Sequence, residues 1–211
     1  MNIKKEFDKY LEQFNKEVPK DLLKDPEIYS RWLAQTYYFV SHSTPLLGYA
    51  LPYLKNRDLQ HHFEHHMGEE ERHDLMAKKD LEKMGYSLSD IPEYSETQAF
   101  YQSQYYRINF EGGTSLLGYI LFLEGVAVSW GREGFDQIKD VHKGSTLFLK
   151  VHAEEDPHHV LQAIKAIESL SEPQQEAILR NLTYSCESYL NILKRIRQEA
   201  ASSSWPKKKA S

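Results

Sequence analysis

Apolar residues recur at three- and four-residue intervals along almost the whole chain, while strictly alternating runs and Asn-Gly turns are scarce. That periodicity marks amphipathic helices packed against one another. It predicts an all-α fold, one domain over residues 1–200 built as a bundle of seven or so helices with short connectors and no internal repeat. The first helix reads from Ile3 to about Val18, the second from Pro26 into the forties, and a shorter piece spans Thr44 to Leu54 behind the start signal Ser43-Thr44-Pro45. A long helix runs from an N-cap at Asp58 to a C-cap at Gly85, and an aromatic helix spans about Glu93 to Phe110 before a break at Gly112-Gly113. An apolar helix, a short piece from Phe135 to Val141, a penultimate helix after Gly144 and a last helix from Ser171-Glu172-Pro173 to about Ala200 complete the set. Residues 201–211 read as a disordered tail.

Length and charge narrow the function. At 211 residues the chain can bury a substantial core without disulfides. Its net charge of −5 and interleaved basic and acidic residues, apart from Lys207-Lys208-Lys209, argue against a nucleic-acid partner. The single cysteine, Cys186, has no intrachain partner, and the opening MNIKKEFDKYLEQF lacks the apolar core of a secretion signal, so a cytoplasmic protein is expected. The run from Thr114 to Trp130 is short for a bilayer and carries Glu124 near its middle, which favours a core helix and no membrane partner.

That Glu124 is the most informative residue. An ionised carboxylate in the most apolar stretch of a chain needs a cation or a metal facing it. About one helix later comes His152-x3-Asp156-x2-His159, whose members fall within an arc of roughly 60° on a helix. Two imidazoles and a carboxylate without a thiolate suit redox-active iron or manganese better than structural zinc. Pro157 lies inside the motif and is expected to kink the helix, the alternative being a restart with Asp156 as N-cap.

The histidine-rich helix adds Glu70-x2-His73, a spacing by which one helix gives a dinuclear centre both a carboxylate and an imidazole. Glu69, Glu70 and Glu71 are consecutive and His66 shares the face of Glu70 and His73, so the register within this helix stays open. Glu70, His73, Glu124, His152, Asp156 and His159 together would hold two divalent ions with open positions for dioxygen and substrate.

The order Glu-x-x-His, an isolated Glu, then His-x3-Asp-x2-His resembles the heme-oxygenase-like diiron oxidases and oxygenases, the iron-containing redox enzymes whose fold is shared with TenA- and PqqC-like proteins. WLAQTYYFVSHSTPLLGYA and HMGEEERHDLMAKKDLEKMG are also similar to that family, so the likeness spans most of residues 30 to 165. It implies a heme-oxygenase-like helical fold without heme and two iron ions cycling between Fe2+ and Fe3+ with O2 as co-substrate; a manganese–iron pair or one iron would serve nearly as well. It also implies oxidation of a small molecule such as an amino acid, a fatty acid or a derivative, by decarboxylation, carbon–carbon cleavage, N-oxygenation or nitrile formation. An external electron donor and a homodimer are compatible with this. The chain departs from the family in having Arg72 where a glycine often precedes the histidine of Glu-x-x-His, and in Pro157; neither removes a ligand.

Other readings compete. The same fold hosts metal-free oxidases, thiaminase-like hydrolases with a cysteine nucleophile, and non-enzymatic interaction modules. Cys186, among LTYSCESYL in the last helix, reads as core rather than nucleophile. Glu124 could instead pair with Arg107, Arg132 or Lys150, or sit protonated beside a tyrosine. His61, His62, His65, His142 and His158 read as surface or hydrogen-bonded core residues. Tyr105, Tyr106 and Arg107 on the aromatic helix are candidates for a substrate pocket, although such aromatics usually just pack.

Overall fold

The structure, a computed structural model, describes residues 2–202, with the side chains of residues 155–158 outside the described set; the expectations for Asp156, His158 and the terminal tail therefore fall outside it. The described residues are helical and contain no strand. The α-helices are α1 (Ile3–Glu17), α2 (Pro26–Val40), α3 (Ser43–Ala50), α4 (Arg57–Glu69), α5 (His73–Lys83), α6 (Ser95–Glu111), α7 (Leu116–Val126), α8 (Arg132–Ile138), α9 (Leu147–Glu168) and α10 (Glu172–Ala201). Counting α4 with α5, and α7 with α8, gives eight rods, one more than the pattern suggested.

Local chemistry explains most of the boundaries. Asn2 and Asp25 cap α1 and α2 by accepting from backbone N–H groups of their first turns, and Pro26 opens α2 without losing a helical bond. Asn56, not Asp58, caps α4, because its side chain accepts from the N–H groups of Asp58 and Leu59. Gly85 closes α5 at φ 90° and Gly112 ends α6 at φ 93°, both values that favour glycine. Ser171 and Gln174 form the capping box of α10. Pro157 does not restart a helix: α9 runs through it as one element, so Asp156 is not an N-cap.

Two long rods depart from the simple pattern. The expected single helix from Asp58 to Gly85 is broken after Glu70, where Arg72 adopts the left-handed region at φ 71°. The break re-aims α5 relative to α4, so Glu70 and His73 reach the core from two helices instead of one. It also accounts for the glycine expected at position 72, the residue type that enters this region without a Cβ penalty. The apolar helix does not end near Trp130 but continues through a π-helical turn at Ala127–Gly131 into α8. Such turns insert an extra residue into a helix and often mark functional sites.

The buried apolar side chains form one continuous cluster centred on α7, which crosses α10 on one side and packs on α9 on the other. Gly118 makes the crossing close: a Cβ there would run into the backbone at Ile178 and Leu182 of α10. A Cβ at Gly125 would meet the Phe7 ring of α1 at 2.5 Å. Thus the run from Thr114 to Trp130, though within a helical stretch long and apolar enough to cross a membrane, is mostly buried as a core rod.

The start of α9 is fixed from outside its own sequence. Its N-cap Thr146 makes no side-chain cap; instead the buried Asp80 of α5 accepts from the Phe148 N–H at 2.8 Å. The Tyr29 hydroxyl donates to the Ser145 carbonyl at 2.6 Å and Lys83 Nζ to that of Gly144 at 2.7 Å, anchoring the preceding loop.

Gly118→Ala and Arg72→Gly should therefore act in opposite directions. The first must push α7 away from α10 and is expected to lower stability by about 2 kcal/mol or more despite alanine's better helix propensity. The second relieves the left-handed residue and is expected to raise stability by about 1 kcal/mol or less. Urea unfolding midpoints of the two variants measure both.

Candidate metal centre

Four helices bring the candidate ligands together: α4 with its C-terminal turn, α5, α7 and α9. On α4, Leu59, Phe63 and His66 occupy successive buried positions, so the stripe that holds the helix to the core also delivers an imidazole inward. His66 and Glu124 are each 6% exposed, whereas Glu71 points to solvent. Glu70 falls in a group of possible ligands with His73 and His152, and His66 in one with Glu124 and His159.

Two groups of three possible ligands result: His66, Glu124 and His159, and Glu70, His73 and His152, with one ligand atom per residue lying within 4.8 Å of the others in its group. In the first group Glu124 Oε1 is 3.5 Å from His66 Nε2 and 3.7 Å from His159 Nδ1. In the second, Glu70 Oε2 is 3.7 Å from His73 Nδ1, and the His73 and His152 rings lie edge to face with centroids 4.9 Å apart. The other oxygen of Glu70, Oε1, is 3.9 Å from His66 Nε2, so one carboxylate reaches both groups. Ligand atoms about 2.1 Å from a shared first-row ion are roughly 3 to 4 Å apart at ordinary bond angles, and these separations fit that spacing.

The protonation states suit ligation. His152 Nδ1 lies 2.9 Å from the Phe148 carbonyl, which can only accept, so Nδ1 carries the proton and Nε2 keeps its lone pair. Burial pushes His152 down to about 4, and burial together with the neighbouring His159 and His62 pushes His66 down to about 4. Both are neutral at pH 7, the form that binds metal. Asp80 thus acts on the site at a distance, by holding the turn of α9 that presents Phe148 and His152.

Glu69 sits behind the first group. Its Oε2 is 3.6 Å from His66 Nδ1 and 3.2 Å from the exposed His65, and its Oε1 is 3.4 Å from His159 Nε2. Although burial alone would raise it, the histidines His159, His65 and His66 hold its carboxyl below the usual carboxylate range. It faces the ring nitrogens of His66 and His159 turned away from Glu124, the place of the carboxylate that orients metal-bound imidazoles.

Of the residues expected from sequence, Glu70, His73, Glu124, His152 and His159 converge. The Asp156 side chain lies outside the described residues. The proposed ion-pair partners of Glu124 point elsewhere: Arg107 pairs with Glu111 at 3.1 Å, and Arg132 and Lys150 are exposed. His142 is a core residue stacked on Tyr29, its Nε2 2.8 Å from the Leu23 carbonyl, and His61 is exposed. Cys186 is buried with its thiol pushed up to about 12 by burial, 3.9 Å from the Tyr10 carbonyl. Tyr105 packs against His42 and Tyr49, and Tyr106 is exposed against Phe110. Sequence reasoning named His66 and Glu69 only as alternatives within an open register; the i, i+4 and i+7 spacing of Leu59, Phe63 and His66 was the signal that His66 faces the core.

A cavity of about 90 Å³ opens onto this cluster. His66, Glu70, Glu124 and His152 line it on one side; the rest of its wall is almost wholly apolar, including Leu46, Leu116, Ile120, Leu123, Trp130 and Phe148. Ala127, Trp130 and Gly131 of the π turn contribute, so the departure from regular helix shapes the cavity. Cys186 is not among the lining residues.

Known structures share this architecture. A domain of unknown function with a heme oxygenase-like fold from Shewanella denitrificans superposes with a TM-score of 0.84 at 16% identity, covering 99% of this chain and 96% of that one. A TenA homologue from Pseudomonas syringae gives 0.75 at 14% identity over 93% of this chain and 91% of its own. A TenA homologue from Pyrococcus furiosus gives 0.69 at 12% over 92% and 99%. These likenesses show the fold alone, and no curated protein matches the chain. A family model described as iron-containing redox enzyme matches residues 30–189, a span that contains both ligand groups and the cavity, and the chain therefore belongs to the iron-containing redox enzyme family.

Proposed function

We propose that this protein is a non-heme diiron oxidase or oxygenase that uses dioxygen to oxidise a small organic substrate. The observation that carries the reading is the pair of three-residue groups, His66/Glu124/His159 and Glu70/His73/His152, joined by the Glu70 carboxylate at the end of an apolar cavity. Bound iron would supply the electrons that reduce dioxygen and the oxidising power directed at the substrate. The chain's own residues do the rest. Four imidazoles and two carboxylates would hold the ions, Glu69 would orient His66 and His159, and the Phe148 carbonyl fixes the ring of His152. The apolar wall excludes water and holds the substrate against the ligands. Asp156, on the same helix as His152 and His159, is proposed as a further ligand from its place in the motif.

A thiaminase-like hydrolysis finds less support, because Cys186 does not line the cavity and its thiol is held protonated.

Anaerobic Fe(II) titration followed by Mössbauer spectroscopy should find about two irons per chain, as a dinuclear site requires. His66→Ala and His152→Ala are each expected to lose at least one of them and all oxygen consumption, while His61→Ala retains both; equal loading in all three would end the proposal. Glu69→Gln should keep the fold but weaken iron binding about 10- to 100-fold, the usual consequence of removing a carboxylate behind a ligating histidine. Competition against a chromophoric chelator reads that change.

The metal-free protein should also lose stability in acid. Unfolded histidines bind protons as pH falls through about 6.5, whereas His66 and His152 in the native state resist protonation until about 4. The unfolded state is therefore favoured progressively as pH drops across that window, at roughly 1–3 kcal/mol per pH unit for the two together. Urea titrations at several pH values test this, and the His66→Asn/His152→Asn double variant should give a flatter profile.

A further inference from the structure

Two buried hydroxyls in the cavity wall have no counterpart in the ligand clusters. Thr36 of α2 and Tyr119 of α7 both line the cavity, are 1% and 3% exposed, and have no hydrogen-bond partner for their hydroxyl oxygens among the described residues. This is unusual for both. A helical threonine commonly donates to the carbonyl one turn back, as Thr183 does to Leu179, and a buried tyrosine normally finds an acceptor, as Tyr29 finds the Ser145 carbonyl. Leaving a hydroxyl buried and unsatisfied costs about 1–3 kcal/mol, so such groups are kept where water or a ligand completes them.

The surroundings define what that ligand is. Among the described residues the lining contains no lysine or arginine, and its acidic and imidazole side chains, His66, Glu70, Glu124 and His152, all belong to the two possible metal groups. A charged group outside the reach of the metal would have no counter-charge there. Burial, with Glu70 nearby, holds the Tyr119 phenol well above its ordinary range, so it stays a protonated donor. The Phe100 ring, with its centroid 4.9 Å away, limits how far the Tyr119 ring can turn.

We infer that the cavity is the binding site for a slender, mainly hydrocarbon substrate carrying an uncharged hydrogen-bonding group, a hydroxyl, carbonyl or amide oxygen, which Tyr119 and Thr36 hold by their hydroxyls. This rests on reading the cavity as the substrate site of the proposed oxidase and narrows that reading to a neutral, apolar substrate class. Tyr119 and Thr36 are then residues that set specificity, independent of the metal.

The test uses metal-free protein, so that it does not depend on iron. Binding of 1-pentanol and of 1-chloropentane, which differ only in a hydroxyl against a chlorine that is a poor hydrogen-bond partner, is followed by amide chemical-shift titration in wild type, Tyr119→Phe and Thr36→Val. The expected result is saturable shifts at cavity residues such as Ile120 and Val126, with 1-pentanol weakened roughly three- to tenfold by Tyr119→Phe, the size of one neutral hydrogen bond. Thr36→Val should weaken it in the same direction, and 1-chloropentane should bind all three proteins alike. Unchanged 1-pentanol affinity in both variants, parallel loss of both ligands, or shifts that avoid the cavity would each overturn the inference. Failure here with two irons bound would leave the diiron reading standing, and success without iron binding would do the reverse.

Discussion

A carboxylate buried in the middle of the most apolar helix is expensive if ionised, and the side chains gathered around Glu124 are ones that could share a metal ion with it. Removing a carboxylate from water without compensation costs several kcal/mol even after relaxation. Glu124 is 6% exposed, and His66 from α4 and His159 from α9 are among the groups that face it. Neither histidine is near it in sequence. Helices α4, α7 and α9 therefore converge on one point, and α7 carries Glu124 there because Gly118 and Gly125 let it lie against α10 and α1 without side chains in the way.

The second group depends on a backbone irregularity. A continuous helix would place Glu70 and His73 side by side on one rod; the turn at Arg72 instead ends α4 at Glu70 and starts α5 at His73. Glu70 can then reach toward His66 with one oxygen and His73 with the other. On the opposite wall, Asp80 holds the start of α9 and so the position of His152. The π turn after α7 places Ala127, Trp130 and Gly131 in the cavity wall. Three local departures from regular helix or regular capping thus lie at the ends of the elements that carry the ligands, where small rotations of a side chain have the largest effect on a metal's geometry.

The relation between fold and chemistry follows from this. Structures with 12–16% identity share the rod arrangement, because that arrangement asks only for apolar stripes of the right length and close crossings at small residues. Iron chemistry asks for particular side chains at particular turns, and two groups of side chains that could hold a metal are present here in a chain that belongs to the iron-containing redox enzyme family. The cavity wall is mostly apolar, its polar side chains being chiefly those of the two possible metal groups and the hydroxyls of Thr36, Ser43, Tyr119 and Tyr189.

Much of this was legible before any coordinates. The helical period, the start signals at Pro26 and Ser171, the glycine stops at Gly85 and Gly112, and the isolation of Glu124 in an apolar run are local properties, each set by the backbone and side-chain preferences of a few neighbouring residues. The break at Arg72 was not legible, since a left-handed arginine has no local sequence signal beyond the absence of an expected glycine. Nor was the part played by His66, Glu69 and Asp80, because each acts across helices far apart in the chain: His66 on Glu124, Glu69 on His159, Asp80 on the start of α9. The sequence by itself determined which segments are helical and which side chains could bind a metal. Only the tertiary structure decided how those side chains pair, since pairing depends on the angles and separations at which the rods pack.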